Sequence, residues 1–139
     1  MHILDTDTFT FLFERHPRVQ RALQEVDDPN VCTTVITRIE VLRGRFDFLF
    51  KAADASQFER AQGLLEQTDT FLMEIPILGM DDAASLQFKH LQTTKGLKKI
   101  GRGDLLIASI ALAHDAVLVT RNLKHFRQVP RLRLANWVD

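Results

Sequence analysis

A single cysteine, Cys32, in 139 residues excludes a disulfide within the chain. It lies in the apolar run from Val31 to Ile36, where a buried, inert thiol is expected. Long apolar stretches are missing too: no run approaches the roughly 20 residues that cross a bilayer. The opening His2-Ile3-Leu4 is strand-like and lacks the basic start and apolar core of a signal peptide, so the expected location is cytoplasmic. Repeats and low-complexity tracts are absent. With 45% hydrophobic and 26% charged residues, the composition is that of a globular domain rather than a disordered chain. A chain of this length fits one domain, residues 1–139, burying roughly two thirds of its unfolded surface.

Net charge is the last thing lacking, with 18 basic and 18 acidic residues. The zero conceals an uneven distribution. Residues 95–139 hold nine Lys or Arg against three Asp, and residues 1–94 hold nine against fifteen Asp or Glu. A basic tail of this kind suits contact with a polyanion, although taken alone it reads first as ordinary solvated surface charge.

Strand and helix patterns alternate along the chain. Ile3-Leu4 leads into Asp5-Thr6-Asp7-Thr8, whose oxygen-bearing side chains suit the cap of a helix reaching His16. Pro17 can open a second helix through Val26, and Asp27 to Asn30 reads as a turn. Val31 to Val35 is β-branched enough for a strand. Apolar residues at 36, 39, 42, 46, 49 and 50 then mark a helix, followed by another over Ala55 to Thr70. A strand at Ile75–Leu78, a helix from Asp81 or Asp82 to Thr94, and a basic loop from Lys95 to Gly103 come next. Leu105 to Ala113 is apolar on all sides and predicts a buried helix. Ala116–Thr120 and, more weakly, Leu132–Leu134 read as strands. The alternation predicts an α/β fold, a three-layer α/β/α arrangement around a parallel sheet of four or five strands. In such sheets ligands bind at the carboxyl ends of the strands.

Three acids fall near those ends: Asp5 after the first strand, Glu40 one turn into the helix after the second, and Asp104 at the start of the buried helix. Taken singly, Asp5 and Asp104 could be helix caps and Glu40 a solvated residue. Taken together, each lies beside apolar sequence where an unpaired charge is costly. A hard divalent cation with oxygen ligands resolves that cost. Gly44 lies one turn beyond Glu40, and a helical glycine there suggests a close approach or helix packing.

The stretches Ile3 to Asp7, Thr37 to Gly44, Ile100 to Ala108, and Leu118 to Asn122 followed by Phe126 and Val129-Pro130 together resemble PIN-domain ribonucleases. The likeness is strongest to the VapC-type toxins of bacterial toxin–antitoxin pairs, and it spans nearly the whole chain. It implies a PIN-like fold with Asp5, Glu40 and Asp104 holding Mg2+ or Mn2+, and cleavage of RNA, often transfer RNA. It also implies a cognate antitoxin, in a homodimer or hetero-oligomer, with no membrane. Thr6, Thr120 and Asn122 would assist the metal or phosphate, and Lys98, Lys99, Arg102 or Arg121 would hold the RNA backbone. Where many relatives carry a fourth acid, this chain has Asn122 and His125, neither of which brings the negative charge that helps hold a second cation. Phe46, Phe48, Phe50 and Phe58 crowd one helical hairpin, which suggests a partner surface; the alternative is core packing.

Two other readings compete. Ile3 to Asp7 also looks like the first motif of haloacid-dehalogenase-type phosphatases, with Asp5 as nucleophile and Asp7 as acid/base; these also need a lysine and a later acidic pair. The other is a non-catalytic PIN-like binding module.

Overall fold

The computed structural model describes all residues from Met1 to Asp139. In chain order the elements are β1 (His2–Leu4), α1 (Thr6–Phe13), α2 (Pro17–Val26), β2 (Val31–Thr34), α3 (Val35–Phe50) and α4 (Ala55–Glu74). They continue with β3 (Ile77–Leu78), α5 (Asp82–Gln92), α6 (Arg102–Ala113), β4 (Val117–Val119), α7 (Leu123–Phe126) and β5 (Arg133–Ala135). The five strands form one sheet in the order β3-β2-β1-β4-β5. Every pairing is parallel, with Ile3 opposite both Cys32 and Leu118, and Leu4 opposite Val119. The chain moves outward from β1 to β2 and β3, then returns to the other side of β1 to lay down β4 and β5. The carboxyl ends of β1 and β4 therefore flank the point where strand order reverses, which is where open α/β sheets leave a crevice.

Strand alternation builds the three layers, because successive side chains point to opposite faces. Ile3 and Leu118 face a cluster formed with α5, α6 and α7, including Leu91, Ile107, Ile110 and Phe126. Leu4 and Val119 face the other way, onto Phe9, Leu12, Val19, Val41 and Leu72 from α1 to α4. Phe9 and Phe126 are both 1% exposed, and burying a side chain of that size is worth about 1.5–3 kcal/mol. Cys32 is buried as expected, and burial pushes its thiol pKa up, which makes it a poor nucleophile. No helix is long and apolar enough to cross a membrane.

Element boundaries shift for identifiable reasons. Helix α1 stops at Phe13, short of His16, because Pro17 forces its predecessor out of helical geometry, and His16 sits at ψ 125°. Strand β2 ends at Thr34 instead of Val35, since the Thr34 hydroxyl accepts the Thr37 amide at 3.2 Å and starts α3. Helix α4 runs on to Glu74, leaving only Ile77–Leu78 as strand. Helix α6 starts at Arg102, inside the expected loop, so Asp104 stands third in its first turn and Gly101 takes the cap position. The short helix α7 was not expected: four residues show no periodicity to read. In the loop between α5 and α6, Gly96 has φ +88°, a conformation glycine adopts without steric cost.

Candidate active site

Two strand ends and two helix starts deliver the acidic residues to one place. Asp5 directly follows β1, and its Oδ1 accepts the Thr8 amide at 2.9 Å, so it does cap α1. That capping turn holds a carboxyl group which is only 7% exposed. Burial pushes its pKa above the usual carboxylate range, and the neighbouring Asp7 adds to the rise. Hydrogen bonds from the Thr120 hydroxyl and from Thr8 oppose it. No lysine or arginine forms an ion pair with Asp5.

Glu40 reaches the site from the second turn of α3. Its Oε1 accepts the Thr6 hydroxyl at 2.9 Å, and the Thr37 hydroxyl lies 3.2 Å from that of Thr6. Thr6 has one hydroxyl proton and spends it on Glu40, so Thr37 donates in turn to Thr6. The first turn of α6 lies alongside: a Cβ on Gly103 would sit 3.7 Å from Glu40 Oε1, an ordinary contact. Next in that turn is Asp104, whose Oδ2 is 3.0 Å from His125 Nε2 on α7. Asp104 therefore does not cap α6; it stands in the first turn of that helix.

These residues line one cleft of about 140 Å³, bounded by Asp5, Thr6, Asp7, Glu40, Asp104, Asn122 and Phe126. Four carboxylates line it and no cation does. The side chains do not close into a three-ligand metal cage as they stand. Each acid is instead held by its own partner: Asp5 by a backbone amide, Glu40 by Thr6, Asp104 by His125. The donor set nonetheless fits a hard divalent cation. It consists of oxygen atoms, it carries an excess of negative charge, and its buried member lacks a counter-charge.

The sequence-predicted residues divide accordingly. Asp5, Glu40, Asp104, Thr6 and Asn122 share the cleft. Thr120 is fully buried; it accepts the Asn122 amide at 3.0 Å and can bond Asp5, but it cannot touch a substrate. Arg121 points elsewhere, its Nε 3.2 Å from Asp139. Arg102 lines an adjoining groove together with Lys98. The hint drawn from Gly44 fails, because a Cβ there would meet nothing within 4 Å.

Asp7, read from sequence only as part of the phosphatase alternative, belongs to the cleft, where it raises the pKa of Asp5. Its spacing of two from Asp5 was the available signal. Thr37 was also missed, although it precedes Glu40 by three residues and so shares its helix face. The phosphatase alternative loses both remaining requirements. No lysine lines the cleft, and Asp81 is engaged as the cap of α5, accepting the Ala84 amide at 2.8 Å.

Comparison with known proteins agrees with this architecture. The PIN domain family matches residues 2–132. Ribonuclease VapC2 of Rickettsia felis is 31% identical over 140 residues, covering 99% of this chain and 98% of that protein. The tRNA(fMet)-specific endonuclease VapC of Salmonella typhimurium is 26% identical over 137 residues, covering 97% and 96%. Among solved structures, VapBC2 from Rickettsia felis, bound to a DNA fragment from their promoter, superposes with a TM-score of 0.78. Identity there is 28%, with 98% of each chain covered. The parallel sheet, the acidic cleft at its switch point and the family match through residues 2–132 together establish that the chain belongs to the PIN domain family.

Proposed function

We propose that this protein is a divalent-metal-dependent endoribonuclease, the toxin of a toxin–antitoxin pair, acting in the cytoplasm. The observation that carries this reading is the cleft itself: four carboxylates, one of them buried without a counter-charge, with no basic side chain among its lining residues. The cleft offers no combination of serine, cysteine or lysine with a base that would support covalent catalysis. Magnesium or manganese suits these ligands, and such an ion supplies an activated water at neutral pH and neutralises charge on the phosphate.

Asp5 and Asp104 would hold the ion. Glu40, kept in place by Thr6 and Thr37, would accept a hydrogen bond from the attacking water and orient it. Asn122 can offer its amide to a phosphate oxygen. His125 keeps Asp104 facing the cleft. The curated relative from Salmonella typhimurium is named for transfer RNA, which makes tRNA the first substrate to try. The partner would be an antitoxin, in a homodimer or mixed oligomer.

Purified protein incubated with total RNA should cut it in magnesium or manganese and fall silent in chelator. Asp5→Asn and Asp104→Asn should each lose at least about a hundredfold in rate while still melting cooperatively. Full cleavage by either variant would sink the site assignment. Absence of metal-dependent cleavage by the wild type would favour a binding module.

A further inference from the structure

Beside the catalytic cleft lies a second groove, of about 440 Å³, between the end of α5, the loop that follows it and the start of α6. Its charge is opposite to that of the cleft. Lys95, Lys98 and Arg102 line it and no carboxylate does. None of the three takes part in any ion pair of the structure. Thr94 adds a hydroxyl, and Phe88 and Leu97 contribute apolar surface. The groove and the cleft draw on the same first turn of α6, the groove through Arg102 and the cleft through Asp104 two residues on.

We propose that this groove binds the single-stranded RNA flanking the bond to be cut, an inference that rests on the endoribonuclease reading. An RNA strand meets net repulsion from a cleft lined by four carboxylates, so attraction has to come from nearby cations. Of the other basic residues considered for this role, Arg121 is occupied by Asp139 and Lys99 does not line the groove. Three unpaired cations in a concave track beside the acids match a polyanion that must pass across them. Phe88 favours a single strand over a duplex, because only an unpaired base has a free face to stack on an aromatic ring. Lys95, Lys98 and Arg102 thus act on substrate binding, separately from the chemical step at Asp5 and Asp104.

The test compares wild type with the double variant Lys98→Ala/Arg102→Ala and with a control pair, Lys124→Ala/Arg127→Ala, which removes equal charge elsewhere. The three proteins are assayed in magnesium on a single-stranded RNA that the wild type cleaves. The groove variant should raise KM about tenfold or more with kcat nearly unchanged. The salt dependence of its RNA affinity should flatten by roughly 0.7 for each lost phosphate contact. Lys98→Arg should restore much of the loss, and the control should do little. Unchanged KM and salt dependence, with metal-dependent cleavage intact, would overturn the groove assignment while leaving the ribonuclease reading standing. If the wild type cleaved no RNA in a metal-dependent way, that reading would fall, and the groove assignment with it. If the groove variant cut RNA normally but released its protein partner, the groove would belong to the partner interface and the RNA proposal would fall.

Discussion

At the scale of single residues, Asp5 combines two demands on one carboxyl group: it caps α1 and it faces the cleft. Its folded-state pKa is raised, chiefly by burial. The folded protein therefore holds the proton more tightly than the unfolded chain does. The resulting penalty is absent below the unfolded pKa, grows as pH rises through the folded value and is complete above it. In chelator, Asp5→Asn should consequently melt above wild type at neutral pH, with the gain shrinking as pH approaches 4. Asparagine caps helices about as well as aspartate, so the cap should survive the change. A lower melting temperature for the variant at all pH values would mean that the cap, not the buried charge, dominates. Asn122 permits a complementary test. It is an uncharged polar residue lining the cleft beside the four acids. Asn122→Asp adds one negative charge with little change of shape and should lower the magnesium concentration for half-maximal cleavage. Asn122→Ala should raise it or slow the reaction. A titration midpoint that moves in neither variant would remove this loop from the metal site.

At the scale of elements, α3 carries the site at one end and an exposed surface at the other. Gly44 lies in its interior, exposed, with nothing within 4 Å of where a Cβ would be. Glycine costs about 0.5–1 kcal/mol relative to alanine in such a position. Gly44→Ala should therefore stabilise the isolated protein by about that amount in urea unfolding, and an unchanged or earlier midpoint would show that the glycine serves the fold. Helix α3 is held to α4 by Arg45, whose Nε donates to Thr68 Oγ at 2.9 Å. The same guanidinium lies 5.5 Å from the centre of the Phe13 ring. The hairpin is thereby fixed from its inner side, leaving its outer side free of the core.

At the scale of the whole molecule, the exposed phenylalanines of the hairpin are the feature a monomer does not explain. Phe46, Phe48, Phe50 and Phe58 are 47%, 48%, 84% and 44% exposed, so the alternative of core packing fails for all four. Apolar surface concentrated in this way marks an interaction site. Phe48→Ser/Phe50→Ser should weaken association with the proposed antitoxin partner by at least tenfold while leaving the melting temperature of the free protein nearly unchanged. A large fall in thermal stability would instead assign these rings to the fold.

The sequence by itself determined the strands and longer helices, because strand alternation and helical periodicity follow directly from where apolar side chains must go. Three of the four acids that line the cleft were also legible, since carboxylates beside apolar stretches at strand ends are costly without a purpose. The sequence could not separate a cap from a residue of the cleft, and in the structure Asp5 caps α1 while lining the cleft. The rest came from packing between distant segments. It brought Asp7 into the cleft, linked Thr37 through Thr6 to Glu40, and placed His125 against Asp104 across 21 residues of chain. It directed Arg121 away to Asp139 and buried Thr120 beneath the site. Those outcomes depend on side-chain direction and on contacts between distant segments, and local periodicity carries no information about either.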